Sequence, residues 1–262
     1  MTASRATPAV PPAARFERLP SDGGGLSLYR AARRTLLQAI ESGAIAPGQA
    51  LPSEAVLARD LGVSIGTLRR AVDELVAEHI LVRRQGLGTF VATHTADRFL
   101  FQFFHVERSD GLREVPRVEL LEFARIRLDE EAAEALRLRP GEPGIQVDNR
   151  LLLQGRPVMH DRITVGAALF RGLTQARLER RPSTIYHLYQ VEFGITVVRA
   201  LERARAVAAD RTAARILGVA PGAPLMQIRR TALSFGEKPV EYRVSVLDSA
   251  RHDYVHLLSR PG

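Results

Sequence analysis

One stretch of the chain is written twice. Asp129-Glu-Glu-Ala-Ala-Glu-Ala-Leu136, followed by Pro140-Gly141-Glu-Pro143, returns as Asp210-Arg-Thr-Ala-Ala-Arg-Ile-Leu217, followed by Pro221-Gly222-Ala-Pro224, with Asp210, Leu217 and Pro221 each 81 positions after their counterparts. The offset holds at Gln146 and Gln227 and at Gly155 and Gly236, then slips by one so that Pro157-Val158 meets Pro239-Val240. Each copy reads as a short helix, a Pro-Gly turn, a strand, a Gly-centred turn and a second strand. Several identities at one offset favour duplication over accidental likeness. Two such units pack into one sheet-based α+β domain and leave a crevice between like halves, where small ligands usually bind.

The rest of the chain is not of that kind. With 262 residues there is room for a second domain. A hydrophobic share of 45% beside 25% charged residues excludes wholesale disorder. No run approaches the ~18 uncharged apolar residues of a membrane helix. Residues 1–26, with Pro8, Pro11, Pro12 and Gly23-Gly24-Gly25, lack the apolar core of a signal peptide and are expected to be a disordered leader. Cysteine is absent, which removes disulfides, thiolate metal sites and a thiol nucleophile, and the expected location is the cytoplasm. The net charge of +8 does not locate a site by itself. Residues 1–95 hold 11 Arg against 8 acids and the remainder 26 basic residues against 21, so the excess is spread over both parts.

Residues 27–92 form the first domain, 93–98 (Thr-His-Thr-Ala-Asp-Arg) a linker, and 99–262 the second, with β-like runs at Phe99–Val106, Leu151–Leu153 and Thr196–Val198. In the first domain Leu28, Ala32, Leu36 and Ile40 recur on one helical face, which ends at Ser42-Gly43 before Pro47-Gly48. A short helix capped by Ser53 runs to Leu61-Gly62, and Ser64 caps a third. On that third helix Leu68, Val72, Leu75 and Val76 line one side. At ~100° per residue Gly66 and Arg70 fall opposite, with Thr67 and Arg69 on the flanks. A short helix, a tight turn and a longer helix make a helix-turn-helix. In such a motif Gly66 lets the backbone approach a groove, Thr67 offers a hydroxyl to phosphate, and Arg69 and Arg70 offer planar forks to phosphate or guanine. Ile80 to Val91 then reads as two β runs around Gly86-Leu87-Gly88-Thr89, led by Arg83-Arg84, which is a hairpin wing for the DNA backbone or minor groove.

These residues resemble the winged helix-turn-helix of GntR-type bacterial transcription regulators. The resemblance is carried by Tyr29, Ile40…Gly43, Pro47-Gly48, Leu51-Pro52-Ser53-Glu54, Leu57-Ala58, Leu61-Gly62-Val63-Ser64, Thr67-Leu68-Arg69, Leu75 and Gly86-x-Gly88-Thr89-Phe90-Val91. Residues 99–258 resemble the UTRA effector-binding domain of the HutC subfamily, whose fold is chorismate-lyase-like. Here the carriers are the doubled Pro-Gly-x-Pro, Ser183…Tyr186…Phe193-Gly194-Ile195, and Gly236…Pro239-Val240-Glu241-Tyr242. Two departures stand out. Ile65 occupies the place of an arginine that follows Val-Ser in the family, and residues 101–118 lack the Ser-Phe-x-Glu-like segment of many sugar-phosphate-responsive relatives.

The resemblance implies a homodimeric regulator, a repressor in the first instance, that binds a pseudo-palindromic operator in double-stranded DNA and is modulated by a small polar or anionic effector. Its DNA-contacting residues would be Ser53, Ser64, Gly66, Thr67, Arg69, Arg70, Arg84, Gly86, Gly88 and Thr89. By matched position the effector contacts would be Arg150, Asp161 and Glu241, then Tyr186, Arg229 and Arg243. Effector occupancy would change the spacing of the two recognition helices, with the linker as pivot. No enzyme, cofactor, metal site or membrane association is expected. The alternatives are a small-molecule enzyme of chorismate-lyase-like fold, or an effector-independent DNA binder; fold likeness alone is poor evidence for chemistry.

Three motifs are set aside. Gly62-Val63-Ser64-Ile65-Gly66 matches the hydrolase nucleophile elbow, but that elbow needs a strand before the serine, and here a helix precedes it. His252 and His256 have ligand-like spacing without a third ligand. Gly86-Leu87-Gly88 runs into a strand rather than a helix, so it is no dinucleotide loop.

Overall fold

The computed structural model describes residues 16–20, 26–93, 103–181 and 184–256, and the chain divides into two compact units, Met1–Ala92 and Thr93–Gly262. The first unit consists of α1 (Leu28–Glu41), α2 (Glu54–Leu61), α3 (Ile65–Ala77) and an antiparallel hairpin of β1 (Leu81–Arg84) and β2 (Gly88–Val91). The apolar stripe of α1, with Ala32, Leu36 and Ile40, packs on the buried Leu68, Ala71, Val72 and Leu75 of α3, and α2 adds Leu57, Ala58 and Leu61. Helix α2 begins where Ser53 Oγ accepts from the Val56 amide. It stops at Gly62, whose φ of 70° lies in the left-handed region that glycine enters without a steric penalty.

Residues 16–20 correct part of the expected leader. The Leu19 amide donates to the Leu61 carbonyl at 3.0 Å, and the Arg18 side chain lies so close over Gly62 that a Cβ there would stand 2.6 Å from it. This piece is held by the first unit because it satisfies a carbonyl that the end of α2 leaves without a partner. Residues 1–15, 21–25 and 94–98, the bulk of the expected leader and linker, lie outside the described residues.

The second unit contains β3 (Val106–Arg108), β4 (Arg117–Arg127), α4 (Glu130–Leu136), β5 (Pro143–Leu153), β6 (Arg156–Gly166), α5 (Gln175–Glu179), α6 (Ile185–Phe193), β7 (Arg199–Ala208), α7 (Arg211–Leu217), β8 (Pro224–Leu233), β9 (Pro239–Leu247) and β10 (His252–Tyr254). Strands β3 and β10 form a small ribbon, and the other six make one antiparallel sheet in the order β4-β5-β6-β9-β8-β7. The repeat is thus two units, β4-α4-β5-β6 and β7-α7-β8-β9, joined through β6 and β9.

Equivalence extends to individual hydrogen bonds. Asp129 Oδ1 caps the Ala132 amide and Asp210 Oδ1 the Ala213 amide, both at 2.7 Å. Gly141 N donates to Leu128 O and Gly222 N to Ala209 O, both at 2.8 Å, and both glycines have φ 82°. The helices cross over between the halves: α4 packs on β9, with Tyr242 among Leu128, Ala132, Ala133 and Leu136, and α7 packs on β6.

The opposite face of the sheet carries the main core, covered by α5 and α6 with Phe103 and Phe170. Both faces of the central strands are therefore buried, and β5, β6 and β9 read as nearly continuous buried runs. Leu151–Leu153 lies in β5 as expected, whereas Thr196–Val198 is irregular chain leading into β7. Among the residues of the first β-like run, 99–102 lie outside the described residues, and only Val106 is in a strand.

Candidate nucleic-acid interface and ligand pocket

In the first unit the exposed ridge of α3 is flat at its start and cationic along its flanks. Ser64 Oγ accepts from the Thr67 amide at 3.1 Å and lies 2.8 Å from Thr67 Oγ1, so the two hydroxyls and the helix end form one polar knot. A Cβ at Gly66 would meet only Ser64 Oγ, at 3.9 Å. Internal packing therefore does not demand glycine there. Ile65, beside it, is 45% exposed.

The arginines are positioned by shallow contacts. Arg69 Nε donates to Glu54 Oε2 at 2.6 Å, and Arg83 Nη2 reaches Asp73 at 2.7 Å. Arg70 lies 3.9 Å from the centre of the Tyr29 ring, and Arg84 sits 4.5 Å over Phe90. Exposed pairs and stacks of this kind are weak, so they orient the guanidinium groups while leaving them free to exchange onto phosphate or a base edge. At the wing tip Leu87 N donates to Arg84 O at 3.0 Å, Gly86 and Gly88 take φ of 72° and 109°, and Leu87 is 71% exposed. Thr89 sits half-buried in β2, opposite Arg83, and Ser53 stays at the α2 cap. Ser64 is an N-cap that follows a helix, so the hydrolase-like match has no elbow geometry.

In the second unit four of the expected contacts come together on the α6 side of the sheet. Asp161 Oδ2 accepts from Arg243 Nη1 at 2.9 Å and Asp161 Oδ1 from Ser245 Oγ at 2.6 Å. Glu241, fully buried, accepts from Tyr186 OH at 3.1 Å, Tyr189 OH at 2.8 Å and Arg243 Nε at 3.0 Å. Burial raises the pKa of both tyrosines, and the Glu241 carboxylate raises it further, so they remain hydroxyl donors. Burial works against the charge of Arg243, yet Glu241, Tyr186 and Asp161 hold its pKa above the ordinary value.

A cavity of about 120 Å³ opens onto this network, bounded by Val118, Asn149, Leu151, Asp161, Arg181, Thr184 and Arg243 among others. The other two expected contacts lie elsewhere. Arg150 faces the α4 side, where it donates to Glu119 at 2.6 Å, and Arg229 faces the same way, with Nη1 2.9 Å from Glu131 of α4. Strand side chains alternate, so residues one place along occupy the inner face: Asn149, directly opposite Asp161, and Arg230, which donates to the Phe103 carbonyl and to Glu202. Asn149 and Arg230 could have been found as neighbours of chosen residues. Arg181, in the irregular stretch before α6, carries no periodic signal.

His256 packs against His105 with ring centres 4.8 Å apart and the rings tilted by 57°, while His252 lies in β10. Among the described residues no group of three metal-ligating side chains occurs, and no helix is long and apolar enough to cross a membrane.

Residues 28–91 match the family described as bacterial regulatory proteins, gntR family, and residues 111–253 match the UTRA domain. The chain is 27% identical over 238 residues to the HTH-type transcriptional repressor NagR of Bacillus subtilis, covering 90% of this chain and 96% of that one. It is 29% identical over 233 residues to a histidine utilization repressor of Pseudomonas putida, covering 87% and 91%. Among solved structures, the ligand-binding domain of a Bordetella bronchiseptica protein assigned to the GntR-family transcriptional regulators is 33% identical, with a TM-score of 0.57. That likeness covers 61% of this chain and 99% of the other. The regulator YydK of B. subtilis, 16% identical with a TM-score of 0.53, covers 89% of this chain and 100% of its own and shares the fold.

Proposed function

The chain belongs to the gntR family of bacterial regulatory proteins that carry a UTRA domain, a class of DNA-binding transcription regulators, and we propose that it is a homodimeric, cytoplasmic repressor released from its operator by a small effector. The observation that carries the DNA half is the α3 ridge: a bare Gly66 between Ser64 and Arg70, flanked by Arg69, beside a wing tipped by an exposed Leu87. A helix of that form suits the major groove and a hairpin of that form the adjoining backbone or minor groove. A two-fold protein matches a two-fold site, so the operator is a pseudo-palindrome. In this reading Ser53, Ser64, Thr67, Gly86, Gly88 and Thr89 shape the surface and reach phosphates, Arg84 binds phosphate, and Arg69 and Arg70 reach base edges or phosphates.

The effector pocket is the cavity over Asp161 and Arg243, with Tyr186 and Glu241 beneath it. Arg150 and Arg229 take no part in it, being held in ion pairs on the other face. Effector and operator binding are then two linked equilibria, and shifting the bound population from mostly bound to mostly free takes roughly 3–5 kcal/mol of differential affinity.

The test is a fluorescence-anisotropy titration of full-length protein on fragments upstream of its own gene and its neighbours. Binding one fragment far more tightly than scrambled DNA of the same length at moderate salt supports the reading; equal binding to both overturns it. The competing enzyme reading predicts turnover of a ligand by the protein, whereas a regulator releases DNA and leaves the ligand unchanged.

A further inference from the structure

Several buried groups at the effector pocket are still short of a partner. Both carboxylates at the pocket are fully engaged: Asp161 by Arg243 and Ser245, Glu241 by two tyrosines and Arg243. The donors are not. Arg243 Nη2 lies 3.0 Å from Glu241 Oε1, too oblique for a hydrogen bond, and is buried without an acceptor. Arg181 is drawn out of water, its side chain having among the described residues only the Leu178 carbonyl as a hydrogen-bond partner, at 2.6 Å, and burial followed by the nearby Arg243 pushes its pKa down. At the same pocket Asn149 Oδ1 is buried without a donor. Unpaired buried groups of this kind are costly, and a ligand that completes them recovers that cost.

The walls and the size set the remainder. Val115, Pro116, Val118, Leu151, Ile163 and Ile185 make more than half of the lining. A cavity of about 120 Å³ is somewhat smaller than the roughly 150 Å³ engineered cavity that takes up benzene. Ring hydroxyls of a phosphosugar would lie against those side chains without partners.

We infer that the effector is a small monocarboxylate with an apolar body about the size of one six-membered ring, its carboxylate on Arg181 and Arg243 and a hydrogen-bond donor toward Asn149. This rests on the reading of this pocket as the effector site.

Isothermal titration of the full-length protein with benzoate, hexanoate, benzyl alcohol and glucose 6-phosphate tests it, on wild type and on Arg181→Gln and Val118→Phe. Saturable binding of a carboxylate is expected, at least about ten-fold tighter than the alcohol, as the loss of charge-assisted bonds requires. Arg181→Gln should weaken it about 10- to 100-fold, and Val118→Phe, which fills the cavity, should abolish it. Arg181 is not fully buried and Val118 only partly so, and circular dichroism checks that both variants fold. Binding of glucose 6-phosphate but of no carboxylate, sensitive to both substitutions, overturns the ligand class and leaves the site standing. Carboxylate binding indifferent to both substitutions overturns the site as well. No carboxylate binding at millimolar concentration overturns the inference.

Discussion

Asp161 and Arg243 stand at corresponding places in the two copies of the repeat, and they are bonded to each other, Oδ2 to Nη1 at 2.9 Å. A half-length chain pairing with itself would set like against like on its axis, two aspartates or two arginines. Carried in tandem on one chain, the two positions have opposite charge and neutralise each other at the floor of the pocket.

Breaking that pair exposes its worth. Asp161→Asn keeps the shape but removes the charge, while Glu241 still neutralises Arg243. The expected cost is about 2–3 kcal/mol, below that of stranding a buried charge completely. Urea unfolding followed by near-ultraviolet circular dichroism measures it, and a loss under about 0.5 kcal/mol would mean that the pair is not formed.

On the DNA side, Arg69→Ala and Arg70→Ala are each expected to lose roughly 1–3 kcal/mol of operator affinity if they read base edges. Tyr29→Ala should imitate a weaker Arg70→Ala, because the ring holds that guanidinium at 3.9 Å. Wild-type affinity in both arginine variants would show that α3 does not enter the groove.

The wing predicts a different signature. Arg84→Ala removes a phosphate contact, so it should weaken specific and scrambled DNA alike and lower the salt slope of log K by about 1. Gly88→Val forces a branched side chain to φ 109°, a strain of about 1–3 kcal/mol that should disturb the hairpin and DNA binding while leaving effector binding unchanged.

Stability should also depend on pH through His105. Burial pushes its pKa down to about 4, Arg230 and His256 help, and Glu202 opposes them. The imidazole is neutral in the folded chain and takes up a proton more readily when unfolded. Stability from this group is therefore full above about pH 6.5 and is lost as pH falls toward 4. The ring is partly exposed, so about 1–2 kcal/mol is expected after solvent screening. Across that window the melting temperature of wild type should fall relative to that of His105→Gln as the pH drops toward 4; parallel curves would rule the effect out.

The first unit and the repeat were legible in the residues because their signals are local. Ser53, Gly62 and Ser64 mark helix ends by their own chemistry, and Gly86 and Gly88 mark a turn. The inward-facing side of β5 and β8 was not legible. A strand buried on one face alternates and declares its parity, but β5, β6 and β9 are covered by α6 on one side and by α4 or α7 on the other, so buried residues run almost unbroken. At the middle of β5 and β6 polar side chains stand on both faces, Asp148 next to Asn149 and His160 next to Asp161. Register shifts at Leu151/Leu152 and at Ala232/Leu233 blur the count further. Choosing Arg150 over Asn149, or Arg229 over Arg230, is a one-residue error that alternation turns into the opposite side of the sheet.

The exchange of α4 and α7 between the halves carries its own consequence. Each helix clasps a strand that belongs to the other copy, so there is no seam along which the second unit can come apart piecemeal. Peeling one half away would strip the cover from both at once. The duplicated unit should thus melt in a single step, and a ligand gripping the floor of either half would tighten the whole.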